Sequence, residues 1–233
     1  MTHLSGTERA AYVQGMFTRI AGRYDLMNRL MTAGQDKFWR KLVIRQAAIP
    51  DGGLMLDLGG GTGDLGFDSI KENPTTLAVE ADFTFEMLRV GKERAGAEAL
   101  HWSAADALNL PFNNSIYDAV VSGFLMRNVV DLPQALREQY RVLKPGGRIV
   151  ILDTTKPGKN LLSPLIRFHM HTVIPFLGRL ISGQDDAYTY LPDSSEDFLR
   201  AEELAVHLAV AGFQEVGFQR LMFGTIAIHW GVK

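Results

Sequence analysis

Leu54-Met55-Leu56-Asp57-Leu58-Gly59-Gly60-Gly61-Thr62-Gly63-Asp64-Leu65 is an apolar run that ends in a glycine-rich turn and leads into a second segment. The pattern predicts a buried strand, a tight loop and a helix N-terminus. Glycines let the loop take positive φ and let a ligand approach the main chain with no Cβ in the way. The first turn of the following helix offers N–H groups that have no intrahelical partner. A dinucleotide fingerprint wants glycines at its first, third and sixth positions. Counted from Gly59 and Gly61, the sixth position is Asp64; counted from Gly61 and Gly63, it is Gly66. Spacing therefore leaves the second register open, but Asp64 would set a carboxylate beside a pyrophosphate, where like charges repel. The loop suits a ligand with a cationic end and no phosphate. S-adenosylmethionine, which carries an ammonium and a sulfonium, is such a ligand. On this reading the loop that carries Asp57, Gly59, Gly61 and Gly63 holds the cofactor.

Downstream of this loop, strands and helices alternate. A helix to about Lys71 and a turn at Asn73-Pro74 precede a strand over 76–81 that closes on Asp82. Acidic residues about twenty positions past a glycine loop, at a strand end, hydrogen-bond the ribose hydroxyls of a bound nucleoside. Glu80 and Asp82 both qualify. A helix over about 86–95 leads to a short strand over 100–104 and then to Asp106-Ala107, where a carboxylate can accept from an adenine amino group or cap a helix. The strand over 117–124 is almost wholly apolar and so buried on both faces. Arg127 and Asn128 lie just past it, outside the carboxyl ends of the strands, where open α/β sheets place their chemistry. A helix over 133–143, ended by Lys144-Pro145-Gly146-Gly147, leads to a fifth strand over 148–153. Ser194 or Ser195 reads as the N-cap of a helix over 202–211 with Gly212 at its far end. Two closing strands follow over 213–220 and 221–232, predicted to pair antiparallel. The whole reads as an α/β, Rossmann-like, doubly wound and mostly parallel seven-stranded sheet with an antiparallel C-terminal strand.

At 233 residues, 46% hydrophobic and 21% charged, the chain suits a single domain. Its parts are an N-terminal helical cap over 1–50, a cofactor half over 51–153, a helical insertion over 154–193 and the closing elements over 194–233. In the cap, Tyr12, Met16, Phe17, Ile20 and Tyr24 recur every three or four residues and make one apolar face, either core or a lid over an apolar substrate. The insertion carries amphipathic segments between Leu161 and Ile181, with Lys156, Lys159, Arg167 and Arg179, and suits a lid or a membrane-surface element. His169 and His171 stand two apart with no carboxylate at a recognised spacing, so no metal is expected. A net charge of −2 gives no strong positive field, and no nucleic-acid partner is expected. The absence of cysteine excludes thiol nucleophiles, disulfides and Cys-ligated zinc. No stretch reaches the roughly 20 apolar residues of a membrane span. Residues 1–6 have neither a basic n-region nor an apolar core, so the expected compartment is the cytoplasm.

Several of these stretches together resemble one family. Phe17-Thr18-Arg19-Ile20-Ala21-Gly22-Arg23-Tyr24-Asp25-Leu26-Met27-Asn28, the pair Trp39-Arg40, Leu56-Asp57-Leu58-Gly59-Gly60-Gly61-Thr62-Gly63-Asp64, Arg127-Asn128-Val129 and Tyr188-Thr189-Tyr190-Leu191 with Ser194 are similar to signatures of the ubiquinone/menaquinone biosynthesis C-methyltransferases. That family lies within the class I S-adenosylmethionine-dependent methyltransferases, and the resemblance spans nearly the whole chain. It implies that Thr62, Asp82, Asp106 and Ala107 contact the cofactor. A further contact is a serine in the family; it falls on Gly123, with Ser122 one place earlier. Phe17, Tyr24, Asn28, Tyr188 and Tyr190 fall on the substrate side. The resemblance implies C-methylation of a prenylated quinol, with Arg127, Asn128 and Asp25 as catalytic candidates. It is also compatible with a homodimer and with peripheral contact at a membrane surface. Arg127, whose pKa stays above about 12, would stabilise a phenolate rather than act as a base. Asp25, Asp153, His169 or water would take the proton. Two rival readings keep the fold. One is a methyltransferase of another small molecule, on oxygen, nitrogen or carbon. The other is a nucleotide-binding or regulatory protein without catalysis.

Overall fold

In the computed structural model, the residues described are 6–156, 172, 194–195 and 198–233. Nearly all of the expected insertion, with Tyr188, Tyr190, His169 and His171, lies outside them. The sheet has seven strands in the order β3-β2-β1-β4-β5-β7-β6. They are β1 Leu54–Leu58, β2 Leu77–Asp82, β3 His101–Ala104, β4 Tyr117–Gly123, β5 Leu143–Thr154, β6 Gln214–Leu221 and β7 Ile226–Val232. The pairs β1–β2, β1–β4, β2–β3 and β4–β5 are parallel, and β7 runs antiparallel to both β5 and β6. This is the doubly wound, mostly parallel sheet with an antiparallel C-terminal strand that the alternation predicts.

The strands are apolar on both faces because helices cover both. Successive residues alternate between two cores. Leu56, Val120, Ile149 and Ile151 pack with Leu136 of α6 (Leu132–Val142) and Leu204 and Leu208 of α7 (Ala201–Val210). Met55, Val121, Val150 and Leu152 pack on the other face with Trp39, Val43 and Ile44 of α3 (Asp36–Ala47) and with Leu65 of α4 (Asp64–Glu72). Among the described residues the remaining α-helix between strands is α5, Phe85–Lys92.

The N-terminal cap comprises α1 (Gly6–Ile20), a short 3₁₀ turn (Ala21–Arg23), α2 (Tyr24–Met31) and α3. Met16, Ile20 and Met27 form a small core of their own, flanked by Tyr12, Phe17 and Tyr24. The apolar stripe is thus both core and wall, since Phe17 and Tyr24 also face the cavity described below.

Two local expectations are corrected. Helix α7 is not capped by Ser194 or Ser195, which are buried further upstream. Its N-cap is Arg200, an extended residue whose backbone N–H donates to the Glu203 carboxylate at 2.7 Å. Strand β5 begins earlier than Arg148. Leu143 already pairs with Tyr117, and the register shifts before Ala119 pairs with Arg148. Lys144–Gly147 form an irregular stretch within the strand, closed by Gly146 N–H to Lys233 O at 2.8 Å and Lys233 N–H to Gly147 O at 2.9 Å.

Candidate active site

The carboxyl ends of β1, β2 and β4 open under the cap into a cavity of about 500 Å³. Its floor is the glycine loop. Gly59 and Gly60 donate their N–H groups to Ala81 O at 2.7 and 3.1 Å, which ties the loop to the end of β2. Gly61, at φ +59°, donates to Asp82 Oδ2 at 3.0 Å, and Thr84 N–H donates to Asp82 Oδ1 at 2.6 Å. Asp82 therefore bridges two turns and presents its carboxylate to the cavity. Burial pushes this carboxyl up to about 6, against the lowering effect of those two N–H donors.

Glu80 takes a different position. It pairs with Asp57 across β1 and β2, and the two side chains are 0% and 1% exposed. Among the described residues no other donor reaches their four oxygens. The two carboxyls face each other, and burial raises both pKa values, with the charge of Asp57 adding to the rise at Glu80. Such a pair holds a proton between its members. Two glycines make room for it: a Cβ on Gly60 would lie 2.4 Å from Glu80 Oε2, and one on Gly66 1.8 Å from Oε1. Gly66 is thus required by side-chain packing beneath the loop.

The cavity wall is acidic. Asp36, Asp57, Asp64, Asp82 and Asp106 reach it, and among the described residues Arg40 is the one cation that does. Arg40 is already spent on carboxylates, with Asp36 at 2.8 Å, Asp64 at 2.6 Å and Asp68 at 2.7 Å. A pyrophosphate would find no free counter-charge in this wall, whereas a sulfonium or ammonium would be favoured there.

Of the residues singled out in the sequence, Phe17, Tyr24, Asn28, Asp57, Gly59, Gly61, Thr62, Asp82, Asp106, Ala107, Gly123 and Asn128 line the cavity. Five others do not. Gly63 begins α4 and packs under Trp102. Ser122 turns into the sheet, 0% exposed, leaving Gly123 at the wall. Glu80 lies below the loop. Asp25 accepts the Thr62 hydroxyl at 2.6 Å, with Arg94 3.6 Å away. The Arg127 side chain, 5% exposed, is locked onto Asp153 at 2.6 Å, and Asp153 also accepts the Arg127 backbone N–H at 3.2 Å.

The sequence reading missed Phe83, Met87, Phe124, Leu125 and Val130, which also line the cavity. Each follows a strand end or the loop after it, and that position is the signal that could have found them. Phe124 is held at φ +61°, strained for an aromatic residue, and its carbonyl accepts the Asn128 side-chain amide at 3.0 Å. Together with the Phe17–Tyr24 edge-to-face pair, 5.8 Å between centroids, it makes the cap side of the cavity aromatic. One cavity therefore brings acidic and glycine residues together with aromatic and aliphatic ones.

Residues 4–233 match the ubiE/COQ5 methyltransferase family. The chain belongs to this family. A relative in Desulfotalea psychrophila, named ubiquinone/menaquinone biosynthesis C-methyltransferase UbiE, is 46% identical over 95% of this chain and 90% of its own. A demethylmenaquinone methyltransferase of Thermus thermophilus is 44% identical over 93% of this chain and 99% of its own. Among solved structures, the [4+2]-cyclase SpnF superposes with a TM-score of 0.71 at 16% identity, over 99% of this chain and 97% of that one. An S-adenosylmethionine-dependent methyltransferase of Aquifex aeolicus superposes at 0.61 and 16%, over 83% and 89%. At such identities these two show a shared fold. The ubiE/COQ5 chain described here is an enzyme, a methyltransferase, and its cofactor is S-adenosylmethionine. The acidic, base-poor floor fits that cofactor.

Proposed function

We propose that this enzyme methylates a ring carbon of a prenylated quinol, as in the conversion of demethylmenaquinol to menaquinol or the equivalent ubiquinone-pathway step. The observation that carries the reading is the mixed lining of one cavity: acidic and glycine residues suited to the cofactor, beside aromatic and aliphatic residues suited to an aromatic ring and its isoprenoid tail. The names of the relatives support the same chemistry.

Asp82 would take the ribose hydroxyls, because its carboxylate is fixed by two backbone donors and still faces the cavity. Asp106 and Ala107 would hold the adenine, and Gly59, Gly61 and Thr62 the amino-acid end. The cofactor, when bound, supplies an electrophilic methyl group on a sulfonium. The chain's own part is to hold the ring against it in a dry pocket and to stabilise the charge that develops on the acceptor. Phe17, Tyr24 and Phe124 position the ring, and Asn28 and Asn128 stand on the same wall. Loss of a quinol hydroxyl proton to water raises electron density at the ring carbon; once that carbon is methylated, its hydrogen leaves to water as the ring regains aromaticity and the oxygen regains its proton. Arg127 acts as a positioning residue: its pairing with Asp153 fixes the turn that carries Asn128. Asp25 positions Thr62 in the loop. The reading extends to contact with the membrane in which such an acceptor dissolves.

The test is calorimetric titration with S-adenosylhomocysteine, followed by mass analysis of demethylmenaquinol incubated with enzyme and cofactor. Asp82→Ala is expected to weaken binding by about 1.5–3 kcal/mol, the range for a hydrogen bond to a charged group. Unchanged affinity in that variant would remove Asp82 from the site. Tight cofactor binding without a mass gain on any quinol would sink the acceptor.

A further inference from the structure

The cap has two unlike faces. Its inner face supplies Phe17, Tyr24 and Asn28 to the cavity. Between Arg19 and Pro50 the exposed charged residues are basic: Arg19, Arg23, Arg29, Lys37, Lys41 and Arg45, the last 3.9 Å from the exposed Glu72 of α4. The two acids in that span are turned inward, Asp25 onto Thr62 and Arg94, Asp36 onto Arg40. This run of exposed basic residues belongs to a chain whose formal net charge is −2. Set among the basic residues are three large exposed apolar side chains, Leu26 at 53%, Leu30 at 42% and Phe38 at 58%. Leu26 and Leu30 are one helical turn apart on α2, on the side away from Tyr24 and Asn28. Phe38 stands between Lys37 and Lys41 early in α3.

We infer that this outer face of the cap docks the enzyme on an anionic lipid surface. Basic side chains meet the negative headgroups, each contributing about 1 kcal/mol near such a surface. Leu26, Leu30 and Phe38 enter the boundary between headgroups and acyl chains. Charge complementarity chooses an acidic partner, and the interleaved aliphatic side chains choose lipid over nucleic acid, which offers no apolar layer to receive them. The inference rests on the quinol reading for its purpose: α2 then touches lipid with one face and the acceptor cavity with the other, so the tail need not cross water.

Vesicle co-sedimentation of the full chain tests this, using phosphatidylcholine with and without phosphatidylglycerol and no quinone present. The enzyme is expected to bind the anionic vesicles and to be released by salt. The charge reversal Arg29→Glu/Lys37→Glu/Lys41→Glu should lower partitioning by more than about a hundredfold. Leu26→Ser/Leu30→Ser/Phe38→Ser should weaken binding and leave a smaller salt-sensitive remainder. Both variants should keep unchanged affinity for S-adenosylhomocysteine, which shows that they fold. No partitioning of the native chain overturns the inference, as does full binding by both variants. A native oligomer that the variants dissociate would assign the face to a second copy, and duplex DNA bound as tightly as the vesicles would assign it to nucleic acid. Either result also overturns the inference. Failure on vesicles with intact methyl transfer to a short-chain soluble quinol would sink the docking face alone; failure of transfer with intact vesicle binding would sink the quinol reading alone.

Discussion

The floor and the cap of this cavity are built in opposite ways. The floor rests on strands buried on both faces, and polar groups within it are locked in pairs: Asp57 against Glu80 and Arg127 against Asp153, while Asp82, at the cavity, is fixed by two N–H donors. The cap has a small core of its own, Met16, Ile20 and Met27. Its α1 and α2 reach the loops beneath through polar links such as Asp25 to Thr62 at 2.6 Å, Arg9 to Arg127 O at 2.7 Å and Gln14 to Phe83 O at 3.0 Å. Buried charges resist change because each exposes its partner to a medium that cannot solvate it. Partly exposed links can open one at a time at small cost. Within the cap, α3 belongs to the sheet core through Trp39, Val43 and Ile44, so the weaker hold is confined to α1 and α2.

The sharpest break of this contrast is Arg127→Ala. It strands the Asp153 carboxylate, 1% exposed, without its cation, and should cost about 3–5 kcal/mol of global stability. Urea unfolding would register this as a lower midpoint with an unchanged slope. A cost below about 1 kcal/mol would mean the pair is solvated and the floor is softer than described.

A second break concerns the shared proton of Asp57 and Glu80. Both carboxyls have raised pKa values in the fold, so the native state binds protons more tightly than the unfolded chain. Their contribution is present at acid pH and is lost as pH rises from the ordinary carboxylate range through the raised values. Glu80→Gln keeps a donor toward Asp57 without a titrating proton. Its stability relative to the native chain should therefore rise with pH, by about 1.4 kcal/mol for each unit by which Glu80 is raised. Parallel stability curves for the two proteins across that range would show that the pair shares no proton.

The smallest effect is expected in the cap. Asp25→Asn weakens the link to Thr62 and should cost about 1 kcal/mol or less. Hydrogen exchange should quicken in α1 and α2 while β1 and β4 amides keep their protection. Loss of protection spread evenly over the sheet would mean that cap and floor open as one unit.

Much of the floor was legible in the sequence because its signals are local. An apolar run, a glycine loop and the next apolar run fix strand, turn and helix with no knowledge of what lies across the sheet. The alternation of strands and helices then fixes a parallel, doubly wound order. Side-chain roles were legible only to the level of a short list. Glu80 and Asp82 are two apart and share one side of β2, so alternation cannot separate them. Position along the strand does: Glu80 lies beneath Gly66 of α4, and Asp82, the last residue of β2, lies past its pairing with β1, at the cavity.

The same holds for Arg127 and Asn128. Both follow the end of β4, as the sequence foretells, yet only Asn128 faces the cavity, because Asp153 on the neighbouring strand captures the guanidinium. What the sequence determined by itself was the order of elements and the acidic, glycine-rich character of the loop, since periodicity and composition act over a few residues. Which carboxylate faces the ligand, which cation is buried and which face of the cap is left outside were decided by tertiary packing. Those outcomes depend on partners up to about a hundred residues away in the chain, brought close only when the two cores close.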